Sequence, residues 1–311
     1  MQNIKVGSVL LLSIIFILMA SATAQQFPQQ DIFFSTEEEF ITRGPTPRDG
    51  NRIISDGDLL HSTGSIYMRN HELLPAFNVS YDLGLDAADV IEVNDRIVAF
   101  STELDHPNRM FTAGDLLATN GAILPNAALL AAFQMPRTLD LGLDAVQFIG
   151  NQEKIIDFLE IVKKRGREFW LKNPQALIEY LQKYGIDIWF STEGTAPPLT
   201  KPTFLDGDLL SAASGAIIAA NSVLLPPAVP AGIPNRGVDF GLDAVSCDRG
   251  GNRRLIFFST EILYDGKPSF TDGDVLRFGN GVIVTNGDLT RPFEPQAEFL
   301  GLDALSAVMI R

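Results

Sequence analysis

Apolar residues along this chain fall in short runs broken by Gly, Asn and Asp, and one such run returns four times. Ile32-Phe33-Phe34, Val98-Ala99-Phe100, Ile188-Trp189-Phe190 and Ile256-Phe257-Phe258 each lead directly into Ser-Thr-Glu. Three apolar residues in succession leave no polar face, so these runs predict strands covered on both sides. A second element follows each of them: "DGDLL" at 56–60, "AGDLL" at 113–117, "DGDLL" at 206–210 and "DGDVL" at 272–276. A third closes the unit: "LGLDA" at 83–87, 141–145 and 300–304, and "FGLDA" at 240–244. Between the second and third stand a Gly (Gly64, Gly121, Gly215, Gly281) and then an Asn (Asn70, Asn126, Asn221, Asn286). Stretches such as "DLLATNGAIL" read as hairpins, strand formers on either side of Asn-Gly. The pattern predicts about four strands per unit and sixteen in all.

Self-similarity at a long period marks a repeat architecture. The FSTE motifs begin at Phe34, Phe100, Phe190 and Phe258, so successive spacings are 66, 90 and 68 residues, and the long interval carries an insertion. Residues 151–185 supply it, with Ile155, Ile156, Phe158, Leu159, Ile161 and Val162 at helical spacing. Asn173-Pro174 predicts the start of a second helix and Gly185 its end.

The mature chain starts on an FST strand with no LDA strand before it, and "LDALSAVMIR" leaves an LDA strand with nothing after it. An unpaired apolar edge is an aggregation hazard, so pairing of the first strand with the last is expected. These features predict an all-β fold of four units, at about 31–93, 94–150, 186–251 and 252–311, arranged as a propeller-like ring closed by the terminal strands, with a helical hairpin insertion at 151–185. A closed barrel or a two-sheet sandwich of the same hairpins satisfies the periodicity equally. The FST, GDLL and LGLDA trio, spanning nearly all of residues 32–305, resembles repeats of exported bacterial proteins for which no activity is established. That resemblance implies export and repeat architecture.

Lys5, the apolar run Val9–Met19 and the small residues Ala22-Thr23-Ala24 have the layout of a secretory signal over residues 1–24, leaving 25–311 as one domain. The run is short for a bilayer span, although an uncleaved anchor is the alternative to release. The expected location is secreted, periplasmic or at the cell surface, with no membrane insertion after cleavage. A single cysteine, Cys247, precludes an internal disulfide and reads as a small core residue. The net charge of −14 excludes nucleic acid and anionic lipid as natural partners and suits cationic ligands or metal ions.

Three sets of carboxylates recur: Glu37, Glu103, Glu193 and Glu261; Asp58, Asp115, Asp208 and Asp274; Asp86, Asp144, Asp243 and Asp303. A group present in every unit suggests a turn or core fixture before it suggests catalysis. The LGLDA Asp should be buried and hydrogen-bonded, because an unpaired buried carboxylate is costly. Calcium is the candidate cofactor, with Asp58, Asp115, Asp208 and Asp274 as its ligands, although Asp-Gly-Asp is not the EF-hand spacing. His61, His71 and His106 lack metal-ligand spacing and read as exposed loop residues. Function should sit where the units differ: at residues 38–55, at the Pro-rich 224–237, and above all at the insertion. There Arg165, Arg167, Phe169 and Trp170 combine the residue types that binding surfaces favour, or else the aromatics pack the helices onto the sheets. The sequence therefore predicts a binding or surface-interaction module for a protein or glycan partner outside the cell, with a carbohydrate-active hydrolase using channel carboxylates as the alternative.

Overall fold

The computed structural model describes residues 30–197, 203–232 and 237–309. The expected signal segment, 1–24, lies outside the described residues.

Sixteen strands form four antiparallel four-stranded sheets. In each, the LDA strand of one unit pairs with the FST strand of the next, which pairs with a GDL strand and then a short fourth strand. Sheet II is Ala88–Glu92, Ile97–Phe100, Leu116–Ala118 and Ile123–Leu124. Sheet III is Val146–Ile149, Asp187–Phe190, Leu209–Ser211 and Ile217–Ala219. Sheet IV is Val245–Ser246, Phe257–Phe258, Val275–Arg277 and Val282–Val284. Sheet I joins the chain termini: Leu305–Met309 pairs with Gln30–Phe34, Ile32 facing Ala307, and Leu59–His61 and Ser65–Met68 complete it. The FST strands are buried on both faces, as their unbroken apolar runs require: Ile188, Trp189 and Phe190 are all buried.

Two features escaped the sequence pattern. A two-stranded ribbon, Phe40–Ile41 with Ile53–Ile54, occupies the variable segment of the first unit. After each fourth strand, the recurring Asn opens a single helical turn, at Asn70–Leu73, Asn126–Leu129, Asn221–Leu224 and Asn286–Thr290.

The sheets touch in cyclic order, the LDA strand of each lying against those of its two neighbours: I with II, II with III, III with IV, and IV with I. One set of hydrogen bonds follows that order. Ser35 of sheet I donates to the Leu85 carbonyl leading into sheet II, Ser101 of sheet II to Leu143, Ser191 of sheet III to Leu242, and Ser259 of sheet IV to Leu302. A second set runs the other way and uses the third residue after each LGLDA Asp. The Val90 N–H of sheet II donates to Ser306 Oγ of sheet I, Ala307 N–H to Ser246 Oγ of sheet IV, Cys247 N–H to Gln147 Oε1 of sheet III, and Phe148 N–H to Asp89 Oδ2 of sheet II. Backbone donors that no ladder satisfies are thus taken up by a side chain of the adjacent sheet, which buried polar groups require.

The insertion holds three helices where two were expected: Gln152–Arg165, Arg167–Lys172 and Ala176–Tyr184. Gly166, at φ 74°, breaks the first. Asn173-Pro174 lies before the last helix rather than opening it, and Gly185 at φ 63° ends it as expected. The apolar face of this segment is spent inward. Ile155, Phe158, Leu159, Val162, Trp170, Leu177 and Leu181 are buried in one cluster with Phe133, Phe148 and Phe190 of the sheets and their loops. Among the described residues, no helix is long and apolar enough to cross a membrane.

Candidate functional site

The GDL Asp residues are held one per sheet, each buried and each accepting two backbone N–H groups. Asp208 accepts from Leu205 N at 3.0 Å and Asn221 N at 2.8 Å; Asp274 accepts from Thr271 N at 2.9 Å and Asn286 N at 2.8 Å. Asp58 and Asp115 repeat the pattern with Ser55 and Asn70, and with Thr112 and Asn126, and each adds an Arg: Arg69 on Asp58, Arg167 on Asp115. Their oxygens thus tie each GD turn to the helical turn behind it. Among the described residues, the one trio of ligand atoms close enough for a shared metal is a different set, Glu37, Asp243 and Asp303, all within 4.8 Å of one another.

That trio belongs to a larger cluster. The four LGLDA Asp residues are buried, whereas the four FSTE Glu residues are exposed. Each Glu lies across the Gly of the LGLDA segment paired to it. At Gly142, with φ +76°, a Cβ would fall 2.4 Å from Glu193 Oε1, so a larger residue would be strained and would displace the carboxylate. The recurrence of LGLDA thus reflects both a buried Asp and the room its Gly leaves for a Glu.

Burial, with neighbouring carboxylates adding to it, pushes every member of the cluster upward in pKa. Glu37 is raised to about 7, by burial first and then by Asp272, Glu38, Glu103 and Glu261. Asp303 is raised to about 11 by burial, with Asp243, Glu103, Asp86 and Glu37 adding to it. Asp86, Asp144 and Asp243 are pushed well above the carboxylate range by burial and then by their carboxylate neighbours. Glu103, Glu193 and Glu261 shift the same way for the same leading reason. Among the described residues, none of the eight forms an ion pair. The cluster therefore needs protons or a cation to offset its charge.

The expectation that every LGLDA Asp is hydrogen-bonded holds only in part. Asp86 and Asp243 each accept from the Ser of the FSTE strand beside them, Ser101 and Ser259, at 3.2 Å. Ser191, beside Asp144, donates to the Leu242 carbonyl at 2.6 Å as Ser101 and Ser259 do to theirs, but makes no accompanying bond to the Asp, and Asp144 Oδ2 is buried with no partner. An acidic pocket of about 500 Å3 leads to the cluster, lined by Glu37, Asp56, Asp82, Leu83, Gly84, Glu103, Leu104 and Asp303.

The aromatic contact surface expected on the insertion needs correction. Trp170 is fully buried, since it fills the core between the insertion and the sheets. Arg167 is bound at 2.6 Å to the buried Asp115, and Arg165 stacks 4.8 Å over Phe169, itself half-buried, while reaching Tyr180 Oη. Only Arg165 is left largely exposed. His106 also departs from expectation: it is buried, its Nδ1 accepting from Asn108 N and its Nε2 facing the Phe77 carbonyl. Cys247 is buried, and burial pushes its thiol far up in pKa, as for a core residue.

Asp89, Gln147, Ser246 and Ser306 went unnoticed in the sequence because the residue type is not constant, Asp and Gln standing in two units and Ser in the other two. Their constant offset, three places after the LGLDA Asp, was the available signal. Comparison with family models, with curated proteins and with solved structures gives no match.

Proposed function

We propose that the four sheets are the blades of a small propeller-like ring, and that the protein is an exported binding module taking a positively charged group of a protein or glycan partner into the acidic pocket. The ring is supported by the cyclic order of contacts, in which every sheet has two neighbours and the first and last strands share one sheet. The pocket carries the binding reading: five carboxylates, Glu37, Asp56, Asp82, Glu103 and Asp303, converge there beside the apolar Leu83 and Leu104. A net charge of −14 would steer a cationic partner toward it. The signal-like layout of the sequence at 1–24 supports a secreted, periplasmic or surface location. The helical insertion serves in this reading as a brace on sheets II and III.

The hydrolase alternative needs two carboxyl groups about 5–5.5 Å apart for retention or about 6.5–9.5 Å for inversion. Glu37, Asp243 and Asp303 bring three oxygens within 4.8 Å of one another, a grouping suited to sharing a cation or proton. The test is capture of oligolysine peptides and of a cell-wall glycan panel at low and high salt. The triple variant Asp56→Asn, Asp82→Asn, Glu103→Gln should lose salt-sensitive capture. Undiminished capture by that variant would remove the pocket from the reading, and release of reducing sugar from the panel would favour the hydrolase.

A further inference from the structure

We propose that the inner end of the acidic pocket is a divalent-cation site built for Ca2+, with Glu37, Asp243 and Asp303 as its protein ligands and Asp144 in the same carboxylate cluster, acting on Asp243's side of it. Calcium takes oxygen ligands at about 2.3–2.6 Å, so two ligands of one ion stand at most about 4.6–5.2 Å apart; the limit for Mg2+, at about 2.0–2.1 Å, is about 4.2 Å. The trio's oxygens, all within 4.8 Å of one another, lie inside the first limit, and the six to eight flexible oxygen ligands that calcium takes suit carboxylates gathered from separate segments better than the strict octahedron of magnesium does. The ligands come from distant parts of the chain: Asp243 from the segment leading into sheet IV, and Asp303 and Glu37 from the two segments that meet in sheet I. An ion there would fasten the joined termini to the neighbouring sheet.

Asp144 supplies the independent observation. It is 5% exposed, its Oδ2 has no hydrogen-bond partner, and the carboxylates that act on it are Asp86, Asp243, Glu261 and Glu193, of which Asp243 belongs to the trio. The Ser contact made to Asp86 and Asp243 is missing at this position. A buried carboxylate oxygen among other carboxylates lacks a donor that a cation, or water on a cation, provides.

This site needs no macromolecular partner, so its test is separate from that of the pocket. Thermal melting of the purified protein at pH 7.5 is compared in EDTA, in 5 mM CaCl2 and in 5 mM MgCl2, alongside calorimetric titration with Ca2+ alone. Calcium should raise Tm more than magnesium does. Glu37→Gln removes a ligand at an exposed position. Gly301→Ala changes no charge, but its Cβ would fall 2.0 Å from Glu37 Cδ and push that carboxylate aside. Each should weaken calcium binding about tenfold or more, the scale seen when ligand positioning is disturbed. Asp243→Asn should raise Tm in EDTA, because the buried Asp243 carboxyl must take up a proton on folding at pH 7.5 and Asn need not, and should abolish the calcium response. A wild-type Tm identical in EDTA and CaCl2 with no heat of binding overturns the proposal. So does a calcium response that both Glu37→Gln and Gly301→Ala leave intact. Undiminished capture by the triple pocket variant, with the calcium shift of the wild-type protein present, would overturn only the pocket reading.

Discussion

Asp89 offers the sharpest test of how the sheets are held to one another. It lies in the LDA strand of sheet II and is 1% exposed. Its carboxylate accepts from Phe148 N of sheet III at 2.8 Å and from both terminal nitrogens of Arg249, beyond sheet IV, at 3.1 and 3.0 Å. Arg249 also donates to the Phe148 and Val90 carbonyls. Asp89→Ala would strand a partly buried guanidinium and an inward-facing N–H together, and breaking a buried pair from one side costs about 3–5 kcal/mol. For a domain of this size, at about 2–4 °C per kcal/mol, that is a fall in Tm of about 6–20 °C. The exposed pair Lys172–Glu168 is the control, where Glu168→Ala should cost less than about 0.5 kcal/mol. Because Asp89 and Arg249 share one network, Asp89→Ala/Arg249→Ala should fall short of the sum of the single losses by about 1–3 kcal/mol. Thermal and urea melts followed by circular dichroism measure all four variants. An Asp89→Ala protein melting within about 1 °C of wild type, or single losses that simply add, would refute the role assigned to this contact.

The insertion should behave as part of the core: Trp170→Ala, at a fully buried site, is expected to cost about 3–5 kcal/mol in chemical denaturation, whereas a separable decoration would leave the midpoint unchanged. Asp208→Ala should cost about 1–3 kcal/mol by orphaning Leu205 N and Asn221 N, with no dependence on added calcium. Asp239 is raised to about 8, by burial first and then by Asp206, so the folded chain holds a proton there that the unfolded chain releases near pH 4. Its contribution to stability is full below about pH 4 and is lost as pH rises through about 8, and Asp239→Asn should flatten the decline of Tm between pH 5 and 8 measured in EDTA.

Repetition made much of the architecture legible before any coordinates. A strand with three apolar residues in a row has only one stable environment, covered on both faces, and the mismatch of the termini asked for the pairing of Gln30–Phe34 with Leu305–Met309. The Asp of each GD turn could be read as a structural acceptor because its chemistry is local: its donors, Leu205 and Asn221 for Asp208, lie within a few residues or one hairpin. The insertion announced its helices by period, but a helical stripe carries no label saying what covers it, so Trp170 read equally as surface or core until the sheets were in place.

What only the tertiary structure decided was convergence. Glu37, Asp243 and Asp303 are remote in sequence, and nothing in their flanking residues says that they meet within 4.8 Å. Likewise Asp89, Gln147, Ser246 and Ser306 have no one residue type in common; what all four share is a place against a neighbour's unpaired N–H. Strand periodicity is set by contacts between adjacent residues, which a linear sequence records. The crowding of like charges is set by long-range packing, which it does not.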